Sequence, residues 1–158
     1  MADEVRVTNA DLIIDEGEKV QYIVIKLGHE QYGIDIKYID NIVRMQSITR
    51  VPHVPAYIKG VINLRGEVIP VLNLRLKMNL EEVEDTKASR IIILKVEQYG
   101  LLGFIVDEVK EVVTLSEIQI EKTAYDGTEE KQNFVFGVGK NDSQLISLLD
   151  MNAVCAEK

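Results

Sequence analysis

The side chains able to do chemistry in this 158-residue chain are few and scattered. There are two histidines, His29 and His53, and a single cysteine, Cys155. His29 lies in the turn-like Gly28-His29-Glu30, and His53 in the proline-rich Val51-Pro52-His53-Val54-Pro55. Neither has a cysteine or carboxylate at metal-ligand spacing, so neither a metal nor another cofactor is expected. Cys155 is close to the C-terminus and has no patterned histidine to activate it as a nucleophile. Gly137-Val138-Gly139 lacks the third glycine of a dinucleotide loop and sits in strand-like sequence, and no phosphate-binding loop motif is present. Asp40 and Asp107 recur in two related segments, and paired carboxylates can serve acid–base chemistry. A duplicated aspartate reads better as one turn or capping role made twice. Catalysis is therefore not expected, and recognition by a protein surface is what remains.

The elements that must build such a surface are constrained by composition. Hydrophobic residues make up 46% of the chain, aromatics only 6%, and tryptophan is absent, so the core must be mainly Ile, Val and Leu. A net charge of −8 makes nucleic acid and anionic membrane surfaces poor partners. Residues 1–19 lack the basic and apolar regions of a secretory signal and read as a flexible acidic tail. No apolar run approaches the ~20 residues of a membrane helix. With one cysteine, these features point to the reducing cytoplasm.

The chain repeats itself. Residues 30–43, EQYGIDIKYIDNIV, align without a gap with residues 97–110, EQYGLLGFIVDEVK, at an offset of 67. A second block, Val68–Leu74, aligns with Leu145–Met151 at an offset of 77, as does Gly60-Val61 with Gly137-Val138. About ten extra residues are thus expected in the second copy, within the polar stretch Glu121–Gln132. Short Ile- and Val-rich runs at Val20–Leu27, Tyr32–Ile36, Val61–Leu64, Val68–Leu72, Arg90–Val96, Tyr99–Val106, Val112–Leu115, Phe134–Val138 and Leu145–Leu149 read as strands. Many short strands with turn signals point to a sandwich or barrel. Asn73 and Asp150 can cap short helices over Leu74–Met78 and Met151–Glu157. Ile36–Met45 suits a short helix or a strand equally. Expected boundaries are the tail 1–19 and one domain over 20–158, with subdomains near 20–80 and 88–150 and a C-terminal helix over 151–157.

Residues 57–74, from Tyr57-Ile58-Lys59-Gly60 through Asn63-Leu64-Arg65-Gly66 to Pro70-Val71-Leu72-Asn73-Leu74, carry a long motif that resembles the CheW family of bacterial chemotaxis proteins. Tyr32-Gly33-Ile34-Asp35-Ile36 and Gly103-Phe104-Ile105-Val106-Asp107 fit the same family, and the resemblance spans roughly 20–155. It implies a mainly β fold of two intertwined five-stranded SH3-like β-barrels with short helices. It also implies a cytoplasmic, non-catalytic scaffold that couples chemoreceptors to the regulatory domain of the histidine kinase CheA beneath the inner membrane; a monomer in isolation is the simpler expectation. Carried over by position, receptor contacts fall on Ile39, Asn41, Gly60, Arg65 and Val112, and kinase contacts on Ile36, Ile39 and Ile42. Asn41 stands where the family often has a glutamate paired with the motif arginine; Asp40 is the neighbouring substitute. The alternatives are a CheW-like module of a CheV or CheA protein and an unrelated small β-barrel ligand binder. The Met1 start and the lack of an appended module are expected to exclude the first.

Overall fold

The structure is a computed structural model that describes residues 17–122 and 134–156. Residues 1–16 of the expected tail, nearly all of the expected loop at Glu121–Gln132, and residue 157 of the expected C-terminal helix lie outside the described residues. The strands are β1 (Lys19–Leu27), β2 (Glu30–Asp35), β3 (Ile39–Arg44), β4 (Ile58–Leu64), β5 (Glu67–Asn73), β6 (Arg90–Val96), β7 (Gly100–Val106), β8 (Glu108–Ser116), β9 (Ile120–Lys122), β10 (Val135–Asn141) and β11 (Gln144–Leu149). Two short helices, α1 (Leu74–Lys77) and α2 (Met151–Cys155), follow β5 and β11.

Two sheets form, in the orders β8-β1-β2-β11-β10-β9 and β3-β6-β7-β5-β4. Each therefore takes a hairpin from the opposite sequence copy: β1–β2 join β8–β11, and β6–β7 join β3–β5. This exchange is the intertwining expected of the double barrel. The first sheet has six strands rather than five, because the three-residue β9 extends it.

Strand alternation separates three cores. Tyr22 and Val24 of β1 point into one barrel with Val113, Leu115, Ile146 and Leu148. Ile91 and Ile93 of β6 point into the other with Ile62, Ile69, Val71 and Ile105. Between those positions, Ile23, Ile25, Ile92 and Leu94 face a larger shared core with Tyr32, Ile34 and Phe104. A slip of one residue in β1 or β6 would exchange the barrel interior for the shared core, so every strand position is specified twice over.

The pairings preserve the duplication but correct its register. In the parallel contact of one sheet Leu148 lies opposite Gly33; in the other Val71 lies opposite Gly103. Since Val71 corresponds to Leu148, Gly33 corresponds to Gly103, an offset of 70 and not 67. A Cβ on either glycine would come 2.8 Å from a neighbouring side chain, Leu148 or Ile91, so both positions exist for close packing. The EQYG identity is misleading. Glu30–Gly33 lie in β2, whereas Glu97, Gln98 and Tyr99 form the turn before β7. Tyr32 is fully buried while Tyr99 is 40% exposed, so the two tyrosines do unrelated work. Asp40 and Asp107 are consequently not equivalent, and no shared role links them.

The helix caps follow the sequence. Asn73 accepts from the Leu76 N–H at 3.1 Å, and Asp150 from the Asn152 and Ala153 N–H groups at 3.1 and 3.3 Å. These bonds satisfy amides that a helix start leaves without partners. Ile36–Met45 begins as a single 3-10 turn, Ile36–Tyr38, capped by the Asp35 carboxylate, and continues as β3.

Candidate functional site

The expected contact residues fall on two separate parts of the molecule. Ile39 and Ile42 lie on β3, the outer strand of the five-stranded sheet, and pack half-buried against the shared core. Ile36 precedes them and is 37% exposed. Val112 lies on β8, the outer strand of the other sheet, and is 53% exposed. It is the structural mate of Ile42, since Val112 pairs with Ile23 where Ile42 pairs with Ile92. Directly opposed residues share a face, and Ile23 and Ile92 both belong to the shared core. Ile39 and Ile42 thus border the shared core on one edge strand, with Ile36 in the turn before them, and Val112 holds the equivalent place on the edge strand of the other sheet. An edge strand leaves one row of N–H and C=O groups without strand partners, which suits contact with another chain. Asn41 sits at an irregularity in the β3–β6 pairing, and its side chain accepts from the Ile42 N–H at 2.8 Å.

Gly60 and Arg65 lie elsewhere, on β4 and on the β4–β5 turn at the opposite edge of the five-stranded sheet. Leu64 pairs with Glu67, so Arg65 and Gly66 form a two-residue turn, with φ of 54° and 83°. Positive φ at both central positions is the primed-turn geometry that best continues strand twist and that asparagine–glycine sequences favour. Arginine is an unusual occupant of such a position. Its exposed side chain forms no ion pair or hydrogen bond with another described residue, so neither Asn41 nor Asp40 engages it. Gly60 is buried, has φ of 146°, and leaves room for the bridge between Thr49 and Val61. A Cβ there would lie 2.1 Å from the Thr49 carbonyl oxygen, so its first duty is to the backbone.

One constellation escaped the sequence reading. Asp107, between β7 and β8, accepts from Arg75 Nε at 2.9 Å, from Arg75 Nη2, and from the Gly28 N–H at 2.8 Å. Arg75 Nη1 also donates to the Glu81 carbonyl at 3.0 Å. The bond from Arg75 holds the Asp107 carboxyl below the usual carboxylate range, and the Gly28 N–H adds to it against the opposing effect of burial. The carboxylate ties α1 of one sheet to the β1–β2 turn of the other, so it fixes how the barrels meet. Its sequence signal was Asp107, which ends a segment that fits the family and reads as a turn or capping residue; nothing marked Arg75 as its partner.

The remaining buried polar groups are also structural. Buried Lys77 donates to the Ala156 carbonyl at 2.8 Å, and its ammonium lies 4.1 Å from the centre of the Tyr57 ring. Burial pushes the Cys155 thiol up to about 11, and it raises the Tyr22 and Tyr32 hydroxyls as well. None of these groups lines the recess of about 660 Å³ beneath the Arg50–Ala56 loop, where Lys59 and Glu82 are joined at 2.5 Å. No group of three or more metal-binding side chains occurs among the described residues. No helix among them is long and apolar enough to cross a membrane.

Comparison with known proteins bears on the family and the fold. A family model described as "CheW-like domain" matches residues 21–158. The chain is 38% identical over 141 residues to "Chemotaxis protein CheW" of Bacillus subtilis (strain 168), covering 89% of this chain and 88% of that one. It is 31% identical to the protein of the same name from Helicobacter pylori, over 89% of this chain and 84% of the other. Among solved structures, the scaffolding protein TtCheW from Thermoanaerobacter tengcongensis superposes with a TM-score of 0.77 at 35% identity, over 84% of this chain and 90% of that chain.

Proposed function

The chain belongs to the CheW family, and we propose that it serves chemotaxis as a non-catalytic adaptor that binds chemoreceptor tips on one surface and the CheA regulatory domain on another. The observation that carries this reading is the set of partly exposed apolar side chains on the outer strands, Ile36, Ile39 and Ile42 at and before β3 and Val112 at the equivalent place on β8. A strip such as Ile36, Ile39 and Ile42 fits a helix with apolar residues at i, i+3 and i+4. Arg65 stands apart at the tip of a rigid hairpin and supplies an exposed charge for a second contact. Work of this kind takes place in the cytoplasm, where both partners present their signalling domains. Signal passes only if the receptor's two states differ in their contact with adaptor or kinase.

Calorimetry of the purified chain against the CheA regulatory domain tests the kinase contact, with saturable one-to-one binding expected. Ile36→Asp should weaken it without unfolding the chain, whereas Ile39 packs against the core and its replacement confounds folding with binding. Arg65→Glu should reduce capture of receptor signalling fragments at unchanged melting temperature. Unaltered binding by both variants would remove these residues from the contact surfaces.

A further inference from the structure

A cationic cluster lies at the end of β3, next to the expected contact residues Ile39 and Ile42 but with none of its own residues among them. Arg44 and Arg90 are direct cross-strand partners on β3 and β6. Like charges placed directly opposite one another destabilise a sheet. Lys87 lies three residues before Arg90, and together they line an open recess of about 430 Å³ with Met45, Thr86 and Ser89. No carboxylate lines that recess. None of the three cations forms an ion pair with another described residue. In a chain of net charge −8, three unneutralised cations in one recess require a reason.

The fold does not supply it. The duplication provides an internal comparison, because the position equivalent to Arg44–Arg90 in the other sheet is the neutral pair Gln21–Thr114. The cluster is also built. Arg90 Nη1 donates to the carbonyls of Lys87 and Ser89, each at 2.8 Å, which fixes the guanidinium plane and leaves its Nε and Nη2 hydrogens available. The Thr86–Ser89 turn is itself closed by the Ser89 hydroxyl, 2.8 Å from the Thr86 N–H, and by the Ser89 N–H on the Thr86 carbonyl at 3.1 Å. Arg44 stands in the same row as Ile42, since their partners Arg90 and Ile92 alternate on one face of β6.

We propose that Arg44, Lys87 and Arg90 form a docking site for a carboxylate-bearing segment of a partner protein, whose apolar residues continue along Ile42 and Ile39. A planar guanidinium with free parallel N–H groups matches a carboxylate two-point fashion. A long polyanion would meet the repulsion of the whole chain. A short acidic peptide meets mainly the charges within about 8 Å at physiological salt: the three cations line the recess itself, while Glu84 and Asp85 adjoin it and line a separate recess. The inference rests on the proposed contact surface at Ile39 and Ile42 and adds a charged anchor beside it; its failure would leave kinase binding by calorimetry untouched.

The probe is a capped octapeptide of alternating glutamate and leucine, titrated into the isotope-labelled full chain in 150 mM salt and followed by amide NMR. Saturable shifts are expected at residues 44–45 and 86–90, and none of comparable size with the glutamine–leucine peptide. Arg44→Glu combined with Lys87→Glu should weaken binding about tenfold, the sum of two exposed ion pairs lost. Lys95→Glu combined with Lys110→Glu makes the same change in net charge at exposed positions elsewhere and should weaken it far less. Absence of saturable shifts, equal binding of the glutamine peptide, or equal weakening in both double variants would overturn the proposal. So would tighter binding of inorganic phosphate than of the peptide at the same amides.

Discussion

Replacing Asp107 by alanine should loosen the junction between the barrels. The substitution removes three hydrogen bonds at once, two from Arg75 and one from the Gly28 N–H. The Arg75 side chain is only 15% exposed, so its cation would lose its partner in a largely dry site. Breaking a fully buried ion pair costs about 3–5 kcal/mol. Asp107 is 28% exposed, which lets water enter and lowers the expected cost to about 2–3 kcal/mol. For a chain of this length that is a fall in Tm of roughly 5–10 °C. The pH dependence has a definite sign. The carboxyl's pKa is depressed in the folded state by Arg75, so its contribution is fully present above the unfolded value, about 3.9, and is lost as pH falls through the lower folded value. Urea unfolding of the wild type and Asp107→Ala should therefore differ by a constant amount from pH 7 to about pH 5 and converge only below about pH 4. A difference under about 0.5 kcal/mol at pH 7, or one unchanged at pH 3, would refute the assignment of the Asp107 carboxylate, held by Arg75 and bonded to Gly28, as a link between the barrels.

Other consequences follow from single positions. Arg65→Asn places a favoured residue at a positive φ and should raise stability by about 0.5–1 kcal/mol in urea unfolding, while receptor-fragment capture falls; a loss of stability would contradict the turn geometry. Gly60→Ala drives a Cβ onto the Thr49 carbonyl and should destabilise by about 3 kcal/mol or more, so any loss of binding in that variant reflects folding and is checked by its melting curve. Cys155, held near 11 by burial from an ordinary 9.0, should be alkylated by iodoacetamide at pH 8 about a hundredfold more slowly than in urea-unfolded chain, in proportion to its thiolate fraction; equal rates would place the thiol in water.

The sequence carried the fold because the fold is built from local signals repeated twice. Ile- and Val-rich alternation marks the strands, and Asn73 and Asp150 mark both helix starts by a chemistry that depends only on neighbouring residues. The register of the duplication was not legible in the same way. A two-residue turn joins β1 to β2, whereas Glu97, Gln98 and Tyr99 join β6 to β7, and the identical tetrapeptides fall on opposite sides of that difference. Identity of letters outweighed equivalence of place until strand pairing showed Gly103, not Gly100, opposite Val71. The Arg75–Asp107 pair was hidden for another reason. Its members are 32 residues apart and each is an ordinary surface-type residue in isolation. Only the exchange of hairpins between sheets brings them together. At the candidate surface, the apolar residues of β3 could be named from their pattern, but their depth could not: Ile36 is exposed while Ile39 and Ile42 are partly spent on the core.

Co-sedimentation of CheA with assembled receptor signalling fragments, in the presence and absence of this chain, tests the adaptor role most directly. The account predicts that CheA enters the receptor pellet only when the chain is added, that the chain enters with it, and that Arg65→Glu reduces both. Equal sedimentation of the kinase with and without the chain, or a chain that stays in the supernatant, would contradict it.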